Sequence, residues 1–309
     1  MAESFATRLH HRIQQLDSRV CLGIDPRPAL HRDTDPVTHE GDPAKIARAT
    51  VVYFRQIIDA TADLVACYKP QVAFFESLGI PGLVALAQLQ ADLRDRGIPL
   101  LSDAKRGDLD STAAAYASTW LGDGVFSSDA VTVNPWMGTD SLLPFTDQAL
   151  QTSRGVFVVV RTSNPGGADF QELRDAAGVS AAEHVARTVA ELGEEATLVG
   201  AVDPAGYSHI GAVVGATLPA DQIRALRRLM PRAIFLLPGY GSQGGTAEAA
   251  AAAFDPAGLG GLVSASRSLT YFGYEADHAS QAREAALAMR DEVNAAIAAT
   301  NQGAGGTAR

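Results

Sequence analysis

Leu100-Leu101-Ser102-Asp103-Ala104-Lys105-Arg106-Gly107-Asp108 reads as an interior strand whose end is charged. Strand side chains alternate between two faces, so Leu101, Asp103 and Lys105 share one face while Leu100, Ser102 and Ala104 share the other. Removing an ion from water costs several kcal/mol unless it is paired. An apolar run that stops in Asp, Lys and Asp therefore either builds a satisfied ion network or puts one to use. Asp108 lies just past the strand and is expected to return to the same mouth.

The surrounding sequence repeats one unit. Short runs rich in Val, Ile and Leu occur at 20–24, 64–69, 99–105, 130–134, 156–162, 197–202, 233–237 and 261–266. Helical patterns separate them at 44–62, 83–96, 112–121, 140–152, 181–192, 221–230 and 246–254, and a last one at 280–298 follows. Strict strand–helix alternation implies parallel strands joined by crossover helices. Eight such units in 309 residues predict one α/β domain, a closed (β/α)8 TIM barrel over 1–301, with Gly-rich 302–309 as a frayed tail. Periodicity does not report closure, so an open doubly wound sheet is the alternative. Irregular segments at 28–43 and 164–179 follow the first and fifth strands, where barrel enzymes build their sites.

Composition narrows the function. Hydrophobic residues are 47% and charged residues 19% of the chain, a globular balance. The net charge of −10 argues against nucleic acid or an anionic membrane as partner, though a local cluster of donors could still hold a phosphorylated small molecule. Residues 1–15 lack a signal-like apolar segment, and no apolar run reaches the roughly 18 residues of a membrane span. Phe5, Leu9 and Ile13 instead predict a short amphipathic helix packed on the domain. Cys21 and Cys67 have no CxxC spacing and are expected to be buried free thiols. A soluble, cytoplasmic protein is expected.

Other strand ends carry charge too. The first runs into Gly23-Ile24-Asp25-Pro26 and the second into Cys67-Tyr68-Lys69-Pro70. Asp25, Lys69, Asp103 and Lys105 thus come from three successive strands to one mouth, an array suited to moving a proton and stabilising developing negative charge. The seventh strand leads into Pro238-Gly239-Tyr240-Gly241-Ser242-Gln243-Gly244-Gly245-Thr246, then a helix, and the eighth into Ser264-Ala265-Ser266-Arg267-Ser268. Loops after strands 7 and 8 are the usual barrel phosphate site, and Arg267 offers a guanidinium fork. The seven histidines show neither HxH nor HExxH spacing, so no metal site is expected. His10 and His11 fall on different helix faces, and Trp120 and Trp136 read as packing residues. Ser163 lacks a nucleophile-elbow context and reads as a hydrogen-bonding residue.

The run Asp103-Ala104-Lys105-Arg106-Gly107-Asp108 resembles the DxKxxD signature of the orotidine 5′-phosphate decarboxylases, in its bacterial DAKRGD form. The resemblance spans nearly the whole barrel, through Gly-Ile-Asp-Pro at 23–26, Tyr-Lys-Pro at 68–70, Thr-Ser-Asn-Pro-Gly at 162–166, Val-Gly-Ala-Thr at 214–217, Leu-Pro-Gly-Tyr-Gly at 237–241 and Ala-Ser-Arg-Ser at 265–268. Leu109, where isoleucine is common, is a conservative departure. The resemblance implies cofactor-independent decarboxylation of orotidine 5′-phosphate to uridine 5′-phosphate, the last step of de novo pyrimidine synthesis. It implies that Lys105 protonates C6, that Asp103 sits beside the departing carboxylate, and that Lys69 and Asp108 complete the network. Asp25 and Lys69 would bind ribose hydroxyls, Ser163 would face the pyrimidine, and Gln243 and Arg267 would hold the phosphate. Asp108 and Thr112 would reach into a partner subunit's site, which implies a homodimer with shared sites.

Three rivals are separable by experiment. A Mg²⁺-dependent phosphosugar enzyme, resembling a hexulose-phosphate synthase or a ketogulonate-phosphate decarboxylase, would be silenced by EDTA. A Schiff-base aldolase using Lys69 or Lys105 would be trapped by borohydride. A catalytically silent phosphate-ligand binding protein would turn nothing over.

Overall fold

A computed structural model describes residues 3–305. Its strands are β1 (Val20–Ile24), β2 (Cys67–Pro70), β3 (Leu101–Arg106), β4 (Ala130–Val133), β5 (Gly155–Arg161), β6 (Ile210–Val214), β7 (Phe235–Pro238) and β8 (Gly261–Ala265). They form one eight-stranded sheet in the order β2-β1-β8-β7-β6-β5-β4-β3, with parallel pairing between neighbours. The ends of that order meet. Tyr68 bridges Leu100, Gln71 bridges Asp103, and the Tyr68 N–H donates to the Pro99 carbonyl at 3.0 Å. The sheet is therefore a (β/α)8 barrel, and the open-sheet alternative falls.

One strand lies elsewhere than the sequence suggests. Residues 197–202 were expected to form the sixth strand, but the helix Ala181–Leu198 runs into them and β6 begins at Ile210. That helix starts from a reciprocal Ser180–Glu183 capping box and buries Ala182, Ala186, Val189, Leu192 and Ala196, a helical period that continues past Leu192. Leu198 and Val199 are apolar but exposed, whereas every residue of Ile210–Val214 is buried. The helix takes Thr197 and Leu198, a turn follows at Val199 and Gly200, and burial selects Ile210–Val214 as the strand.

Two cores result. Outside the sheet, Val20, Leu22, Leu100, Val131, Val156 and Val214 pack against the surrounding helices. Inside it, Cys21, Cys67, Leu101, Phe157, Leu236 and Leu262 fill the barrel, and Phe5, Leu9 and Ile13 of the helix Phe5–Leu16 join them. The four-residue period predicts a helix packed on the domain, and the structure places that helix as a plug at the N-terminal end. Gly155 lets it approach, because a Cβ there would lie 2.6 Å from the Phe5 ring. The plug is fastened by His10, whose Nδ1 lies 2.5 Å from Asp203 Oδ2, while the Tyr207 N–H donates to Asp203 Oδ1 at 2.7 Å. His10 is buried and His11 exposed, as adjacent helical positions require. Cys21 and Cys67 are buried, free and register partners.

The final helix, His278–Gly305, enters the segment expected as a tail, and Asn301 ties it back by donating to the Pro256 carbonyl at 3.0 Å. Residues 306–309 of that segment lie outside the described residues. No helix among the described residues is long and apolar enough to cross a membrane.

Candidate active site

The C-terminal ends of the strands surround a cavity of about 320 Å³, and Asp25, Lys69, Asp103, Lys105, Ser163, Gln243 and Arg267 all line it. Alternation along β3 works as expected at Leu101 and Asp103, which point inward. Beyond them the strand is irregular. Ser102 pairs with Val131 and Arg106 with Val133, so β3 spends two extra residues against β4. Lys105 takes up the difference with φ of 46°, a left-handed conformation that costs a side-chain-bearing residue energy. Its N–H is held by Thr132 Oγ1 at 2.9 Å.

Asp103 is the hub. Its Oδ1 accepts from Lys105 Nζ and from Thr132 Oγ1 at 2.9 Å. Its Oδ2 accepts from Lys69 Nζ at 3.1 Å and from Gln71 Nε2 at 2.8 Å. Burial opposes the Asp103 charge, but Lys69 and then Lys105 outweigh it and hold the carboxyl well below its usual range. Burial likewise opposes the Lys69 charge, and Asp103 and Asp25 overcome it to raise that ammonium above its ordinary value. Both ions are thus fixed in their charged forms. The Lys69 side chain is 6% exposed and that of Lys105 is 44% exposed, so Lys105 presents its ammonium to the cavity.

Gln71 and Thr132 were missed by the sequence reading. Each had a signal: Gln71 stands two residues after Lys69 on the same face, and Thr132 is the inward position of β4 beside Asp103. Arg27 was missed as well. It lines the cavity, and its Nε is buried without a hydrogen-bond partner, as is Asp25 Oδ1. Buried polar atoms of this kind ask for a ligand or water.

At the opposite wall Ser163 Oγ donates to Gln243 Oε1 at 3.2 Å, and Thr217 Oγ1 donates to the Ser163 carbonyl at 3.2 Å. The loop carrying Gln243 turns through Gly239 and Gly241, with φ of 98° and 70°. A glycine-rich loop leading into a helix can offer backbone N–H groups to an anion, but here several are already used. The N–H groups of Gly241, Gly244 and Gly245 are spent on carbonyls within the loop, and the helix that follows, Ala247–Ala251, is too short to contribute much of a dipole. Side-chain donors remain, together with the Ser242 and Gln243 N–H groups, which make no hydrogen bond among the described residues. The Arg267 guanidinium makes no hydrogen bond or ion pair among the described residues, and it faces the cavity beside Gln243.

Asp108 and Thr112 do not line this cavity. Asp108 was expected to return to its own mouth. Instead its Oδ1 accepts from the Leu109 N–H at 2.8 Å, and the chain turns away into the helix Asp110–Leu121. Around that rim Leu109, Trp136 and Met137 are exposed, and Trp136, read as a packing residue, is 76% exposed with its ring edge-on to Phe170. A larger concavity of about 480 Å³ lies beside Trp136, but no titratable side chain lines it.

Comparison with known proteins agrees with the geometry. Residues 18–282 match the Orotidine 5′-phosphate decarboxylase / HUMPS family. The orotidine 5′-phosphate decarboxylase of Deinococcus radiodurans is 42% identical over 96% of this chain and 99% of its own. That of Rhodopirellula baltica is 41% identical over 87% and 88%. The structure of Leishmania donovani OMP decarboxylase superposes with a TM-score of 0.74 at 31% identity, covering 95% of this chain and 99% of the other. A Lys–Asp–Lys array in a barrel mouth and relatives matched from end to end lead to one conclusion: this chain belongs to the orotidine 5′-phosphate decarboxylase / HUMPS family.

Proposed function

We propose that the protein decarboxylates orotidine 5′-phosphate to uridine 5′-phosphate, the last step of de novo pyrimidine synthesis, without a resident cofactor. The observation that carries this reading is Asp103 held ionised between Lys69 and Lys105. A substrate carboxylate set beside Asp103 is repelled by it, and that repulsion ends when CO2 departs. The C6–carboxylate bond breaks, its electron pair stays on C6, and Lys105 Nζ delivers a proton there. The ammonium stabilises the carbanion as its charge grows, in a site whose dipoles are already aligned. Lys69, kept charged, is a poor amine nucleophile, which disfavours the Schiff-base alternative.

The remaining cavity residues divide the substrate between them. Asp25, with its unpartnered Oδ1, and Lys69 take the ribose hydroxyls; Ser163 meets the pyrimidine; Gln243 and the free guanidinium of Arg267 take the phosphate. Phosphate contacts far from C6 provide binding energy that can be used to orient the reacting end. Asp108 and Thr112 are assigned to the partner's site in a homodimer. Supporting this are their position outside the cavity and the exposed Leu109, Trp136 and Met137 around them. Two buried free thiols suit a reducing compartment, and we assign the enzyme to the cytoplasm.

The test is a spectrophotometric decarboxylation assay on orotidine 5′-phosphate after EDTA treatment. Sustained turnover is expected. Turnover that requires Mg²⁺ and consumes a hexulose phosphate instead would move the chain to the other branch of its family.

A further inference from the structure

Sequence spacing argued against histidine ligands, yet the fold joins two histidines from distant parts of the chain. His31 lies in the loop after β1, and His278 opens the final helix. Ligand atoms of His31, Asp33 and His278 lie within 4.8 Å of one another, with both histidines buried and Asp33 exposed. We infer that these three residues bind a divalent transition-metal ion of the zinc class, at a site separate from the catalytic cavity.

The surroundings of the rings argue for this more strongly than proximity does. His31 Nε2 sits 3.1 Å from the Ala276 carbonyl, and its Nδ1 accepts from the Asp33 N–H at 3.2 Å. That fixes the proton on Nε2 and leaves the lone pair on Nδ1, which is 3.8 Å from Asp33 Oδ2. His278 Nε2 lies 2.8 Å from Gln56 Oε1, an acceptor available to its N–H. Metal-binding imidazoles characteristically donate their second N–H to a carbonyl or carboxylate oxygen, which orients the ring and raises its basicity. Both histidines have such an oxygen in place.

The rings are also held rigidly. His31 and His278 meet edge to face with centroids 4.8 Å apart, and Tyr53 stacks on His278 at 4.1 Å. Two imidazole nitrogens and one carboxylate oxygen suit Zn²⁺, with water as a fourth ligand, better than Mg²⁺ or Ca²⁺, which take oxygen shells. The exposed Asp33 gives the ion a way in. Binding would replace the weak contact between Asp33 N–H and His31 Nδ1, and would fasten the loop after β1 to the start of the final helix.

The experiment uses the full chain, stripped with EDTA and dialysed. Zn²⁺ is titrated by calorimetry, bound zinc is counted by elemental analysis, and the melting temperature is read with and without the ion. We expect one zinc per chain, a higher melting temperature, and no comparable shift with Mg²⁺. Asp33→Ala removes an exposed side chain, so the fold is not at stake; it should weaken binding about tenfold or more, and His278→Ala should do the same. His184→Ala, which breaks an exposed His184–Asp175 pair at 2.8 Å, should leave binding unchanged. Stripped protein that binds no zinc, or binding that survives both Asp33→Ala and His278→Ala, would overturn the site. None of these readouts depends on turnover, so their failure is distinct from failure of the decarboxylase reading.

Discussion

The two ends of the barrel solve opposite problems. At the N-terminal end Phe5, Leu9 and Ile13 close an apolar plug, and the polar groups that fasten it, His10, Asp203 and Tyr207, partner one another or the backbone. At the C-terminal end Asp25 Oδ1 and Arg27 Nε are buried without partners, Lys105 sits in a strained backbone conformation, and the Arg267 guanidinium makes no hydrogen bond or ion pair among the described residues. One end is finished by the chain itself. The other is finished only when a charged ligand enters. Energy that a purely structural protein would recover stays invested where chemistry is done.

Substitutions at the open end should therefore hurt activity more than folding. Lys105→Ala should lower kcat by about 10⁴-fold, since it removes both the acid and the charge facing the carbanion. Its melting temperature should change little, because losing a strained lysine whose side chain is 44% exposed costs the fold little. Steady-state kinetics beside thermal unfolding checks both halves. Arg267→Ala should cost about 10²-fold in kcat/KM, from two phosphate contacts of roughly 1.5 kcal/mol each. Inorganic phosphate should inhibit the variant less than the parent.

The closed end should respond in the reverse sense. His10→Ala leaves a buried Asp203 carboxylate without its ring partner, at an expected cost of about 3 kcal/mol in denaturant unfolding. KM should stay at the parent value. If His10→Ala shifts KM while stability holds, the two ends are not separate.

The smallest effect concerns subunit sharing. If the protein is a homodimer in which Asp108 completes the partner's site, equal amounts of Lys105→Ala and Asp108→Ala chains, allowed to exchange, give heterodimers with one doubly damaged site and one intact site. Random pairing should restore about a quarter of parental activity. No recovery after exchange has been verified by tagged pull-down would remove Asp108 from the partner's site, and leave the decarboxylase reading standing.

Much of this was legible because burial writes a simple code. β1, β2, β3, β7 and β8 lie where apolar runs lie, and Asp25, Lys69, Asp103 and Lys105 stand out as charges toward the ends of the first three. The code fails at residues 197–202, which are apolar without being interior. It is silent on Gln71 and Thr132, whose types are common on strands and whose role comes from the register of β2, β3 and β4. Asp108 misleads for a different reason: nearness in chain says nothing about which way the turn at Gly107 sends it. The His31–His278 pair lies beyond any local pattern, since only closure of the barrel brings those segments together.

The central claim is that the open end is built for negative charge at C6 and not for the substrate at rest. The direct measurement compares the affinity of uridine 5′-phosphate with that of a nucleotide carrying a fixed negative charge at that ring position. The protein should bind the anionic analogue at least about 10³-fold more tightly. In Lys105→Ala that gap should collapse while uridine 5′-phosphate binding stays within a few-fold. Equal affinity for the two ligands in the parent protein, or a gap that survives the loss of Lys105, would contradict the account.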